Sequence, residues 1–135
     1  MKILETLREK GYDLEEDNGI YLNLGEEKIK VKCSYIGKFK DRKLVCIEFT
    51  SPRTMSSVEN FIKSYARIVN AVYAVISDGE EVKVLDIPSN REVKLDEILP
   101  AEKAYEIKYS SKPEIEVRRA AACYSVIHCK CEVER

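Results

Sequence analysis

Apolar residues recur at helical spacing in Ile3, Leu4 and Leu7, and Gly11 ends that run, so the spacing predicts a helix over residues 3–10. The period then changes to two. Ile20, Leu22 and Leu24 alternate with Tyr21 and Asn23, which predicts a short strand closed by Gly25. In residues 28–36, Ile29, Val31, Cys33 and Tyr35 alternate with Lys28, Lys30, Lys32 and Ser34, the pattern of a half-buried strand. The polar run GKFKDRK reads as a loop. It leads into Leu44–Phe49, a near-continuous apolar segment of the kind that is covered on both faces.

Ser51-Pro52 breaks that strand, and Ser56 with Glu59 three residues later reads as a capping box opening a helix. Val58, Phe61, Ile62, Tyr65 and Val69 form its apolar stripe, to about Asn70. Residues 71–77 and 81–87 read as two strands joined at Asp78-Gly79, a hairpin signal. Residues 92–95 read as a last strand. Pro100 and Pro113 each open a helical stretch, the second running through His128.

Setting residues 44–50 beside 28–36 gives an antiparallel hairpin with Cys33 facing Cys46, Val31 facing Glu48 and Tyr35 facing Leu44. Strand alternation then puts Cys33, Cys46, Glu48 and Thr50 on one face. The expected fold class is α/β, a mixed sheet flanked by helices. With 135 residues and no repeat or linker, the chain reads as one domain over residues 1–135, the C-terminal helix and cysteine-rich tail (about 112–135) packed on it.

Charged residues make up 35% of the chain but nearly cancel, to a net −1, so any nucleic-acid surface must be a local patch. The candidates are Lys38, Lys40, Arg42 and Lys43 in the polar loop, with Arg53, Lys63 and Arg67 beyond the central strand; the competing reading is a solvated surface balanced by Asp and Glu. No apolar run approaches the ~20 residues that span a bilayer, and the acidic, amphipathic start is no secretory signal, so the expected location is cytoplasmic with no membrane partner. The absence of Gln and Trp beside abundant Lys, Glu and Arg is a thermophile-like composition. Glu48 is the anomaly on an otherwise apolar strand, because Glu is rarely buried without a partner.

From Leu44 to Asp86 the order of features resembles the PD-(D/E)XK nuclease superfamily, in particular the N-terminal domain of type I restriction enzyme R subunits and stand-alone prokaryotic relatives. In that family a strand ending in Glu-x-Lys precedes a helix carrying a Tyr-Ala pair, as Tyr65-Ala66 does here. A strand into an Asn-Gly or Asp-Gly turn follows, as at residues 74–79. The resemblance, over roughly residues 5–95, implies a restriction-endonuclease-like sheet and a catalytic triad of Asp and Glu-x-Lys holding Mg²⁺. Glu48 matches the Glu. Thr50 stands where the Lys belongs, and Cys33 (or Ser34) stands where the Asp belongs. Thr carries no charge, and a neutral thiol is a poor ligand for a hard cation.

The function the resemblance implies is therefore a nucleic-acid- or protein-binding domain with a degenerate nuclease site, its partner DNA or a restriction-system protein and no cofactor expected. One alternative is a divergent Mg²⁺-dependent DNA endonuclease that recruits Asp41, Glu16 or another carboxylate. Another is a metal- or cluster-bearing accessory protein in which Cys123, Cys129 and Cys131, with Cys33, bind zinc or an iron–sulphur cluster. Against that last reading, Cys-x-Cys is not the usual Cys-x2-Cys knuckle, and buried thiols need no further explanation.

Overall fold

A computed structural model describes residues 2–51 and 55–133, without the side chains of Pro113 and residues 126–133. Helix α1 (Lys2–Glu9) leads into β1 (Asp13–Glu16), and a hairpin of β2 (Ile20–Leu24) and β3 (Glu27–Val31) follows. Next come β4 (Tyr35–Phe39), β5 (Arg42–Phe49), α2 (Met55–Ile68), β6 (Tyr73–Ser77), β7 (Val82–Asp86) and β8 (Arg91–Val93). A one-turn 3₁₀ segment (Leu95–Glu97), α3 (Ala101–Ala104) and α4 (Pro113–Val133) complete the order.

The main sheet is mixed, in the order β1-β4-β5-β6-β7-β8, while β2 and β3 form a separate two-stranded ribbon. β5 and β6 run parallel, with Cys46 opposite Ala74 and Glu48 opposite Ile76, and α2 supplies the crossover that a parallel pair requires. The other neighbours in the sheet are antiparallel.

Alternation along β5 divides the core between two faces. Cys46 joins Ile36, Ala74 and Ile76 in a buried cluster with Phe61, Ile62 and Tyr65 of α2 and Ala120 and Ala121 of α4. Val45 and Ile47 join Tyr73 and Val75 in a second cluster with Ile3, Leu4 and Leu7 of α1 and Ala101 and Ala104 of α3. Covering on both faces is why residues 44–47 read as continuously apolar. The ribbon lies over the first face, where Leu22 and Val31 are buried among the residues of α2 and α4.

The expected α/β class, a mixed sheet flanked by helices, is present. The 28–36 strand is not continuous. Residues 27–31 pair with β2, the chain bends through residues 32–34, and Tyr35–Phe39 pairs with β5. The register also differs: Tyr35 lies opposite Ile47 and Ile36 opposite Cys46, so neither Cys33 and Cys46 nor Val31 and Glu48 are cross-strand partners. Residues 37–39 of the expected loop belong to β4, and the loop shrinks to Lys40-Asp41, both at positive φ (49° and 65°) as a tight hairpin turn requires. β1 was not legible as a strand because three of its four residues are acidic. Helix α2 begins at Met55, so Ser56 sits inside it and not at its cap, and Glu59 pairs with Lys83 (2.7 Å) and Lys63 (3.4 Å).

Candidate functional site

The bend at residues 32–34 exists because a buried carboxylate holds it. Asp17, between β1 and β2, is only 7% exposed. Its Oδ1 accepts the N–H of Gly19 at 3.0 Å, in an Asx-type turn. Its Oδ2 accepts the Cys33 N–H at 2.9 Å and the Tyr65 hydroxyl at 2.5 Å. One side chain thus joins both ends of the β2–β3 ribbon to helix α2. Burial, and then the Asp17 carboxylate, push the Tyr65 phenol far above its ordinary range, so it stays a donor.

Ser34 follows directly and is directed at Glu48. Its backbone N–H bonds the Ile47 carbonyl at 3.0 Å, its hydroxyl donates to Glu48 Oε1, and the Phe49 N–H donates to the hydroxyl oxygen at 3.2 Å. Glu16, Asp17, Ser34, Glu48, Lys32 and Tyr124 line an open cavity of about 460 Å³, so Glu16, unlike Asp41, does stand with Glu48. Burial pushes the Glu48 carboxyl above its usual range, the Ser34 hydroxyl and the Phe49 and Ser34 N–H groups offset part of this, and the nearby Asp17 charge adds to it.

A raised folded-state pKa means that the stability associated with Glu48 is fully present below the unfolded pKa of ~4.3 and is lost as pH rises through the folded value. Glu48→Gln keeps an acceptor for Ser34 and removes the charge. Its urea midpoint is expected to exceed that of the parent at pH 7, with the gap closing near pH 4. A gap that is independent of pH would contradict the assignment.

The arrangement does not fit a Mg²⁺ site. A hard cation needs several oxygen ligands with carboxylates among them, but Asp17 spends both oxygens on three internal donors and Glu48 is hydrogen-bonded by Ser34. It is Ser34, not Cys33, that faces Glu48. Thr50 lies just past β5, its N–H bonding the Ser77 carbonyl at 2.9 Å. Asp41 sits at the turn before β5, seven residues and so up to about 23 Å from Glu48 at ~3.3 Å per residue. Among the described residues, no three His, Cys, Asp or Glu side chains gather to hold a metal ion.

The expected basic rim is not one surface. Lys38 pairs with Glu15 (2.6 Å), Lys63 with Glu59 (3.4 Å), and Arg67 with Glu116 (3.4 Å). Arg42 donates to the carbonyls of Tyr105 (2.6 Å) and Asn70 (3.1 Å), and the Lys40 ammonium lies over the rings of Phe39 and Tyr105. Lys40, Arg42 and Lys43 stand at the far end of β5 from Glu48. Arg53 lies outside the described residues.

Cys33 and Cys46 are buried free thiols in mutual contact, and burial, then the hydrogen bond with Cys46, push the Cys33 thiol well above its ordinary range. Such thiols are inert. Cys123 is a half-buried free thiol against the same cluster, and the side chains of Cys129 and Cys131 lie outside the described residues. No described helix is long and apolar enough to cross a membrane. Sequence reasoning missed Asp17; its one local signal was the turn-forming run Asp17-Asn18-Gly19.

Similarity to known proteins is narrow. The chain is 37% identical over 117 residues to an uncharacterized protein of Archaeoglobus fulgidus, a match covering 87% of this chain and 84% of the relative. No family model matches the sequence, and no solved structure matches the chain.

Proposed function

The chain belongs to one family with the Archaeoglobus fulgidus protein, and we propose that it is a non-cleaving, nucleic-acid-binding domain on a restriction-endonuclease-like scaffold, related to the N-terminal domains of type I restriction enzyme R subunits. The order α1, β1, β4, β5, α2, β6, with an antiparallel pair followed by a helical crossover to a parallel strand, agrees with what that resemblance implies. The observation that carries the non-cleaving reading is the Ser34–Glu48 hydrogen bond. On the resemblance, a hydroxyl donor stands where a cutting enzyme of this kind holds an acidic metal ligand, and it engages one oxygen of the surviving carboxylate.

Incubated with Mg²⁺ or Mn²⁺, the protein is expected to cleave neither duplex nor single-stranded DNA above a Glu48→Ala control. Metal-dependent cutting lost in that variant would overturn the reading. It would favour the divergent nuclease instead, for which the presence of Glu16 and Asp17 in the Glu48 cavity is the supporting observation.

A further inference from the structure

Most of the cations named so far hold ion pairs or backbone carbonyls; a row of lysines on the ribbon has no ion pair among the described residues. Lys28 and Lys30 alternate with Ile29 and Val31 on β3, and since Val31 is buried in the core these two lysines share the outer face of the ribbon; Lys32, also exposed, follows at the start of the bend. Across from them on β2, Tyr21 lies opposite Lys30 and Asn23 opposite Lys28. Among the described residues, no carboxylate of the ribbon stands on that face. Glu27 is in register with the core-facing Ile29 and Val31, and Glu26 is in the turn.

Tyr21 is 61% exposed, the most open of the large apolar side chains among the described residues, and the ammonium groups of Lys28 and Lys30 lie 5.6 and 5.8 Å from its ring centre. None of the three lysines has an ion pair among the described residues, whereas Lys38, Lys63, Arg67 and Lys83 all do. Lys32 is common to the row and to the cavity holding Glu48 and Ser34.

We propose that the outer face of the β2–β3 ribbon is a binding surface for single-stranded nucleic acid, with Lys28, Lys30 and Lys32 on successive phosphates and Tyr21 stacking a base. This rests on the nucleic-acid-binding reading above and locates its interface. Lys28 and Lys30, which carry no ion pair, make a local positive field in a chain of net charge −1, and that favours a polyanion, while Lys32 stands beside the carboxylates of the Glu48 cavity. The exposed ring selects an unpaired strand, because a base inside a duplex has no free face to stack on it. Lysines two residues apart on a strand are spaced ~6.6 Å, close to the phosphate repeat of an extended strand.

The test is fluorescence anisotropy with a labelled oligo-dT of roughly 12 nucleotides, within the usual site size for such surfaces, and with a labelled duplex, across a salt series. The parent is expected to prefer oligo-dT. Replacing Lys28, Lys30 and Lys32 together by Ala should weaken oligo-dT binding at low salt at least 30-fold. The slope of log K against log salt should become shallower by about 2, at ~0.7 per phosphate contact. Tyr21→Ala should weaken oligo-dT binding roughly tenfold and leave the salt slope unchanged. Both variants lie on the exposed face, and an unchanged urea midpoint confirms that each is folded.

Binding that survives the triple substitution but falls on replacing Lys40 and Lys43 overturns this inference and leaves the broader reading standing. A preference for duplex, or indifference to Tyr21→Ala, overturns the single-strand assignment. No binding to either DNA by the parent protein overturns both.

Discussion

Asp17→Ala is expected to lower stability by about 3–5 kcal/mol, a large share of the ~5–15 kcal/mol that holds a typical domain together. The size follows from what the substitution leaves behind. The Cys33 N–H and the Tyr65 hydroxyl lose their acceptor in a buried setting, and the Gly19 N–H loses its own at the margin. Each unsatisfied buried donor costs ~1–3 kcal/mol. Tyr65→Phe removes one donor and leaves the two backbone bonds, so it should cost about 1–2 kcal/mol. The two variants share one hydrogen bond, and their effects should combine to less than their sum. Urea unfolding of the single and double variants measures this. Equal, additive losses would show that Asp17 does not join the ribbon to α2 through Tyr65.

Gly19→Ala should cost about 3 kcal/mol by a different route. Gly19 sits at φ +84°, which strains an L side chain by ~1–2 kcal/mol. A Cβ there would also meet the Val31 carbonyl oxygen at 2.5 Å and the Lys32 Cβ at 3.0 Å. The first of these is backbone, so β3 itself must move. Gly25, at φ +61°, has nothing within 4 Å, and Gly25→Ala isolates the conformational part of the penalty. The Gly19 variant should therefore lose at least 1 kcal/mol more than the Gly25 variant in urea midpoints. Equal losses would place Gly19 further from the Val31 carbonyl of β3 than described.

Most of the sheet was legible because its signals are local. Asp78-Gly79 closed the β6–β7 hairpin, alternation marked β2, and the stripe from Val58 to Tyr65 marked α2. What was missed depends on long-range partners. The lysine alternation of residues 28–32 continues into Ser34 without a break in pattern, so nothing local reveals that the strand changes partners there. The change is imposed by Asp17, sixteen residues upstream, once it captures the Cys33 N–H. Gly37-Lys38-Phe39 read as a loop because Lys38 finds its partner, Glu15, only across β1. The same holds for the site. Glu48 stood out as an acid in an apolar strand, but that Ser34 would be the residue to meet it depended on the register after the bend.

The order of the main sheet leaves β1 and β8 at its margins, and both are short: four residues and three. Unpaired strand margins are templates for growth, since their free N–H and C=O groups accept another chain. Here one margin exposes Asp13, Glu15 and Glu16 and the other exposes Arg91 and Glu92. A second copy aligning β1 against β1 would set acid against acid at close range, and β8 is too short to nucleate a ladder. Heated or partly unfolded protein should therefore clump through its loosened apolar faces, in amorphous deposits, before it extends edge to edge into ordered fibrils.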